Sequence, residues 1–312
     1  MTEEFDKSVS TSFGKLTGSL RLPANKIRYS ALILAGSGAL DRNGNGLGLQ
    51  LNLYNSLAQQ LADIGIASFR YDKRGCGDSD GVHLHAGFFD LLDDATCALQ
   101  AMQKFEELHN TPVMLIGHSE GTLLSSSLAT SHDCVQQQVL IAPFLDPLEQ
   151  LIEAQITQTV QQIQQLRGIK GVVSRLMLWI SGDQIKKQRR IMDKIRHSRE
   201  PTITIKKNPI NAQWLRDHQS INPRDIHQRC KTPTLSIGCE KDLQCPASDA
   251  QSIARVIQAP AETYVVPNLT HILRTDTEAP STFRYRELST KPVDDCVVQL
   301  IDDWLQQQSL AQ

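Results

Sequence analysis

Apolar residues in this chain fall into short runs separated by stretches of helical spacing. YSALILAG (29–36), IASFRYD (66–72), TPVMLIG (111–117) and QQVLIAPF (137–144) are runs of four or more apolar positions near turn residues. That is the pattern of strands buried on both faces of a parallel sheet. Between them, LNLYNSLAQQLADIG (51–65) spaces Leu53, Leu57 and Leu61 four apart and ends on Gly65, which predicts a helix stopped by glycine. FFDLLDDATCALQAMQKF (88–105) predicts a helix with Phe89, Leu92, Thr96 and Leu99 along one side, and TLLSSSLATS (122–131) predicts another. Ahead of these, SVSTSFGKLTGSLRLP alternates polar and apolar positions around Gly14 and Gly18, which predicts an antiparallel hairpin. Toward the end come strands TPTLSIG (232–238) and ETYVVP (262–267), a helix ASDAQSIARVIQ (247–258) and a closing helix over 293–308.

This alternation predicts an α/β fold whose mostly parallel sheet carries helices on both faces. It stops in the middle. Residues 145–225 read as helices without strands, with Ile152, Ile156, Val160, Ile163 and Leu166 at a 3.6-residue period. The expected division is a core over 1–144 and 226–312 and an all-helical lid over 145–225.

Composition narrows the setting. A chain of 312 residues suits one large domain carrying an insertion. A net charge of −2 provides no global field toward nucleic acid or anionic lipid. No apolar run approaches the length of a membrane span, and the acidic, polar N-terminus MTEEFDKSVS is not a secretory signal. The seven cysteines are odd in number, scattered and free of CxxC pairs. They read as reduced thiols of a cytoplasmic protein without structural zinc.

The chemistry centres on Gly117-His118-Ser119-Glu120-Gly121, between a predicted strand and a predicted helix. A sharp strand-to-helix turn lifts the Ser119 hydroxyl above the sheet and aims free N–H groups of the helix start at developing negative charge. A serine so placed is either a nucleophile or a helix cap. A nucleophilic serine needs a base. Of nine histidines, His271 in NLTHIL follows the last strand and belongs at the C-terminal edge of the sheet, where ligands of open α/β sheets bind. Asp242 in GCEKDLQCP follows the preceding strand and is the candidate acid, with Asp249 and Glu240 as rivals. The order Ser119, Asp242, His271 is the chain order this architecture uses. An oxyanion hole would take the N–H of Glu120 and one from LAGSGALDRNGNG (34–46), with Ser37 as candidate and Gly38 as alternative.

On these residues the chain resembles the α/β-hydrolase superfamily over nearly its full length, in AGSG (35–38), RYDKRGCGDSDG (70–81), GHSEG (117–121), GCEKD (238–242) and NLTH (268–271). AGSG followed by DRNGN is similar to a bacterial group of serine esterases and serine-aminopeptidase-like hydrolases. The resemblance implies an eight-stranded sheet, a helical lid and a serine hydrolase that uses no cofactor or metal. RYDKRGCGDSDG resembles that superfamily's organising turn after the fourth strand. Ala35 departs from the pattern, since many relatives have histidine before the equivalent of Gly36. The stretch TEAPSTFRYRELSTKP after His271 is longer than expected. The expected activity is cleavage of an acyl bond in a small ester, with thioester or amide substrates and a non-catalytic binding protein as alternatives. The oligomeric state is open, a homodimer included.

Other motifs carry less. DRNGNG (41–46) matches the start of a calcium loop, but position twelve is Asn52 and no second loop exists. Glycines 44, 46 and 48 lack dinucleotide-fingerprint spacing. His83 and His85 have no partners at ligand spacing and read as loop polarity. KKQRRIMDKIRHSRE (186–200) reads as a solvated amphipathic helix with Ile185, Met192 and Ile195 inward, or else as a basic lid helix attracting an anionic substrate.

Overall fold

The computed structural model describes residues 2–46 and 48–310. Its centre is an eight-stranded sheet in the order β1-β2-β4-β3-β5-β6-β9-β10. The strands are β1 (Glu3–Thr11), β2 (Gly14–Leu22), β3 (Tyr29–Leu34), β4 (Ile66–Tyr71), β5 (Val113–His118), β6 (Val135–Ile141), β9 (Thr234–Cys239) and β10 (Ala261–Val266). The predicted N-terminal hairpin is β1 and β2. β2 pairs antiparallel with both β1 and β4, and the remaining pairs are parallel. β4, β5 and β9 are buried along their whole length, as inner strands of a sheet covered on both faces are.

Helices α1 (Leu53–Asp63), α2 (Phe88–Met102) and α3 (Gly121–Ser131) connect the first parallel strands. α1 buries Leu53, Leu57 and Leu61, the spacing seen in the sequence. The predicted face of α2 is corrected. Phe89 is exposed, and the inner side is Phe88, Leu91, Ala95, Ala98, Leu99 and Met102. The seam sits one residue earlier, and Asp94 lies on it in a bidentate pair with Arg74.

After β6 the chain leaves the sheet. It forms α4 (Leu148–Gln165), α5 (Gly168–Ser181), α6 (Gln184–His197), strands β7 (Thr202–Ile205) and β8 (Asn208–Asn211), then α7 (Ala212–Ser220) and α8 (Pro223–Gln228). The all-helical expectation for this stretch is therefore corrected by the β7–β8 hairpin. Its cause is local: TITI is β-branched, and Lys206 and Lys207 both take positive φ (49° and 71°), the two-residue hairpin turn that matches strand twist. α9 (Ser248–Val256), α10 (Tyr285–Leu288) and α11 (Cys296–Leu310) complete the chain. Met192 and Ile195 of α6 pack inward with Leu215 of α7, and Ile185 is half-buried. No helix among the described residues is long and apolar enough to cross a membrane.

Candidate active site

The parallel register brings the ends of β3, β5, β9 and β10 to one edge. Leu34 pairs with Gly117, His118 with Ile141, and Val266 with Cys239. Just beyond these pairs lie Ser37, Ser119, Asp242 and His271. Ser119 stands between β5 and α3 at φ 54°, a strained conformation for a serine. The flanking glycines are needed for close approach. A Cβ on Gly121 would lie 2.0 Å from the Leu34 carbonyl oxygen, and one on Gly117 would lie 2.3 Å from the Gly121 oxygen. α3 can begin against the end of β3 only without those side chains. Ser119 does not cap the helix: no side chain accepts an N–H at the start of α3, and the Thr122 hydroxyl donates to the Ser119 carbonyl at 2.6 Å.

His271 and Asp242 meet. His271 Nδ1 donates to Asp242 Oδ2 at 2.7 Å, and Oδ1 of the same carboxylate accepts the N–H groups of Gln244 (2.7 Å) and Cys245 (3.0 Å). These bonds fix the carboxylate and leave Nε2 as the free ring nitrogen. The rivals lie elsewhere. Glu240 accepts the Asn268 N–H and Asp249 accepts the Leu145 N–H. Ser119 Oγ is not hydrogen-bonded to His271; it rests against Cys245 Sγ at 3.9 Å. Burial and the Asp242 carboxylate push the Cys245 thiol well up, so it stays protonated. The thiol, the carboxylate and a ring nitrogen of His271 all lie within 4.8 Å of one another.

The backbone N–H groups of Glu120 and Ser37 have no hydrogen-bond partner among the described residues, and neither has Gly38. The Ser37 loop is held on two sides. The Gly36 N–H donates to Tyr54 Oη at 2.7 Å, Tyr54 Oη–H to His118 Nδ1 at 3.0 Å, and His118 Nε2–H to the His271 carbonyl at 3.0 Å. One buried chain of hydrogen bonds thus ties the Ser37 loop, the serine turn and the histidine loop together. It fixes the tautomer of His118, whose pKa burial and the neighbouring His271 push down to about 3. On the other side, Lys73 Nζ donates to the Gly36 carbonyl at 2.5 Å and pairs with Glu120 Oε2 at 3.2 Å.

Glu120 also accepts from Trp214 Nε1 and, at 2.9 Å, from His218 Nε2, both on α7. Burial pushes this carboxyl up, but Lys73, His218 and Trp214 together outweigh it and hold its pKa at about 2. The insertion is therefore latched to the serine turn through a buried carboxylate. Arg274, also buried, braces the histidine loop by donating to the carbonyls of Ile272 (2.7 Å), Leu51 and Lys291. Sequence reading missed Tyr54, Lys73, Trp214, His218, Cys245 and Arg274. Of these, Lys73 and Cys245 lay in stretches quoted for their chemistry, RYDKRGCGDSDG and GCEKDLQCP. The DRNGN stretch is structural, with Asp41 accepting the N–H groups of Asn43 (2.9 Å) and Asn45 (2.8 Å) within its own turn.

The cavity at Ser119 has a volume of about 50 Å³ and is lined by Ser37, Phe144, Leu151, Trp214 and Cys245, among others. A far larger groove of about 990 Å³ lies between α4, α5 and α6. The small cavity is the candidate reaction site, because the unpaired N–H groups and Ser119 converge there. Gln155 lines both.

Comparison with known proteins agrees with this architecture. No curated protein matches the chain in sequence. Among solved structures, the esterase Est1E from Butyrivibrio proteoclasticus with ferulic acid bound aligns over 98% of this chain and 98% of its own, at TM-score 0.60 and 16% identity. The α/β hydrolase GrgF from Penicillium sp. sh18 aligns over 86% and 91%, at TM-score 0.58 and 18% identity. The esterase Pf2001 from Pyrococcus furiosus aligns over 85% and 81%, at TM-score 0.55 and 13% identity. At such identities these likenesses establish the α/β-hydrolase fold. The family model described as serine aminopeptidase, S33, matches residues 44–278, and the chain is a hydrolase that belongs to this family.

Proposed function

We propose that the protein is a serine esterase acting on small carboxylic esters. The observation that carries this reading is the His271–Asp242 pair at 2.7 Å beside a serine held at φ 54°. Ser119 Oγ turns from Cys245 toward His271 Nε2 by rotation about one side-chain bond, loses its proton to that nitrogen and attacks the ester carbonyl. Asp242 keeps the histidine tautomer and stabilises the imidazolium. The N–H groups of Glu120 and Ser37 receive the oxyanion. His271 returns the proton to the leaving alkoxide, and water releases the acyl group by the reverse sequence. Residues 145–225 act as a lid over the core formed by 1–144 and 226–312. A cytoplasmic location accords with the seven free cysteines.

Peptidase action is the second reading, because of the family's description. It needs an unpaired carboxylate for the substrate amine. Glu120 already receives three donors, Glu149 pairs with Arg196, and Glu153 pairs with Arg189. This favours the ester. The cavity of about 50 Å³ favours a short acyl group. The test is hydrolysis of p-nitrophenyl esters from acetate to palmitate, beside thioesters and aminoacyl amides. Fastest turnover on acetate or propionate, lost in Ser119→Ala, is the expected result. Turnover of aminoacyl amides alone would overturn the esterase reading.

A further inference from the structure

We propose that the outer face of the insertion docks on an anionic lipid surface. α5 is exposed along nearly its whole length, yet its sequence is GIKGVVSRLMLWIS. Ile169, Trp179 and Ile180 are 85%, 79% and 70% exposed, and Val172, Leu176 and Met177 are exposed with them. Among the described residues, eight of fourteen exposed large hydrophobic side chains lie between Leu166 and Ile180. A contiguous apolar face of this kind marks a surface that something covers.

Charge identifies the covering. Residues 166–207 hold twelve of the chain's 32 lysines and arginines but three of its 34 acids, so this stretch carries +9 and the remainder −11. The whole-chain value of −2 conceals this separation. Arg190 and Lys194 of α6 are exposed and have no acidic partner among the described residues. Lys206 and Lys207 project from the β7–β8 turn. An apolar helix beside a basic helix is the combination that inserts at a headgroup boundary and gains from negative lipid. A second copy of the chain is disfavoured, since face-to-face contact would bring two such positive stretches together. The groove between α4, α5 and α6 would then open beside the lipid, although the docking does not depend on the esterase reading.

The experiment is sedimentation of the full chain with vesicles of phosphatidylcholine, alone or mixed with phosphatidylglycerol, at low and high salt. Binding at least about tenfold tighter to the anionic vesicles and weakened by salt is expected. Trp179 emission should shift to the blue on binding, and Trp179→Phe should remove the shift, since Trp304 is buried in the core and Trp214 is half-buried and held against Glu120. Leu176→Gln with Ile180→Gln, and separately Arg190→Glu with Lys194→Glu, should each weaken binding at least about tenfold while leaving the melting temperature unchanged. Equal or absent binding of wild type to the two vesicle types overturns the proposal whatever the variants do. So does a solution dimer that Leu176→Gln with Ile180→Gln dissociates, because it assigns the face to a second copy.

Discussion

The floor beneath Ser119 and the outer helices of the insertion are built on opposite terms. In the floor, polar groups are buried and matched. Lys73, Glu120, His218, Tyr54 and His118 are buried, and each has a named partner. On α5, apolar side chains lie exposed. The difference teaches where precision is required. A buried charge without a partner costs several kcal/mol, so each residue of the floor constrains the next. An exposed apolar face tolerates substitution until whatever covers it arrives.

Substitution should separate the two regions sharply. The largest effect is expected from Ser119→Ala, which should lower kcat/KM for a short ester by at least about 10⁴-fold with the fold intact, read by steady-state kinetics and circular dichroism. Asp242→Asn should cost about 10⁴-fold in kcat by losing the His271 tautomer. Asp249→Asn and Glu240→Gln should leave turnover within about twofold, since neither carboxylate faces the ring. Equal losses in all three variants would break the assignment of the acid.

Glu120→Gln should act on stability first. It leaves Lys73 and His218 buried beside a neutral amide, a loss of about 3–5 kcal/mol by chemical denaturation. A smaller effect, about 1–3 kcal/mol and about tenfold in kcat/KM, is expected for Tyr54→Phe, which strands the Gly36 N–H and His118 Nδ1. The same floor sets the acid response. His118 and His227 are held neutral by burial, their pKa values pushed down from 6.5 to about 3 and about 4. Below pH 6.5 the unfolded chain binds protons that the folded chain refuses. Stability should therefore be full above that pH and fall as the medium is acidified through the folded values. Glu120, held at about 2 from 4.5, adds a loss of the same sign at lower pH. A melting temperature that rose between pH 7 and pH 5 would contradict this. The smallest effect should come from Leu176→Gln with Ile180→Gln, with kcat on a soluble short ester within about twofold of wild type.

Most of the scaffold was legible because its signals are local. Short apolar-rich runs bounded by turn residues marked β3, β4, β5 and β9, and leucines four apart marked α1. Where the reading slipped, on the buried face of α2, that face carries Asp94 paired with Arg74, a tertiary contact that apolar spacing does not signal. The β7–β8 hairpin was lost among helical neighbours because four-residue strands carry too few alternating positions to stand out.

The sequence by itself determined the strand–helix alternation, the glycine-flanked turn at Ser119 and the order of the serine, aspartate and histidine. Tertiary structure decided which acid meets His271 and what supports the site. Tyr54 reaches His118 across 64 residues, His218 reaches Glu120 across 98, and His118 reaches His271 across 153. Backbone periodicity repeats over two to four residues, so it reports which face of an element is buried. Pairing between buried polar groups depends on which strand ends the sheet order sets side by side, and no short stretch of chain encodes that.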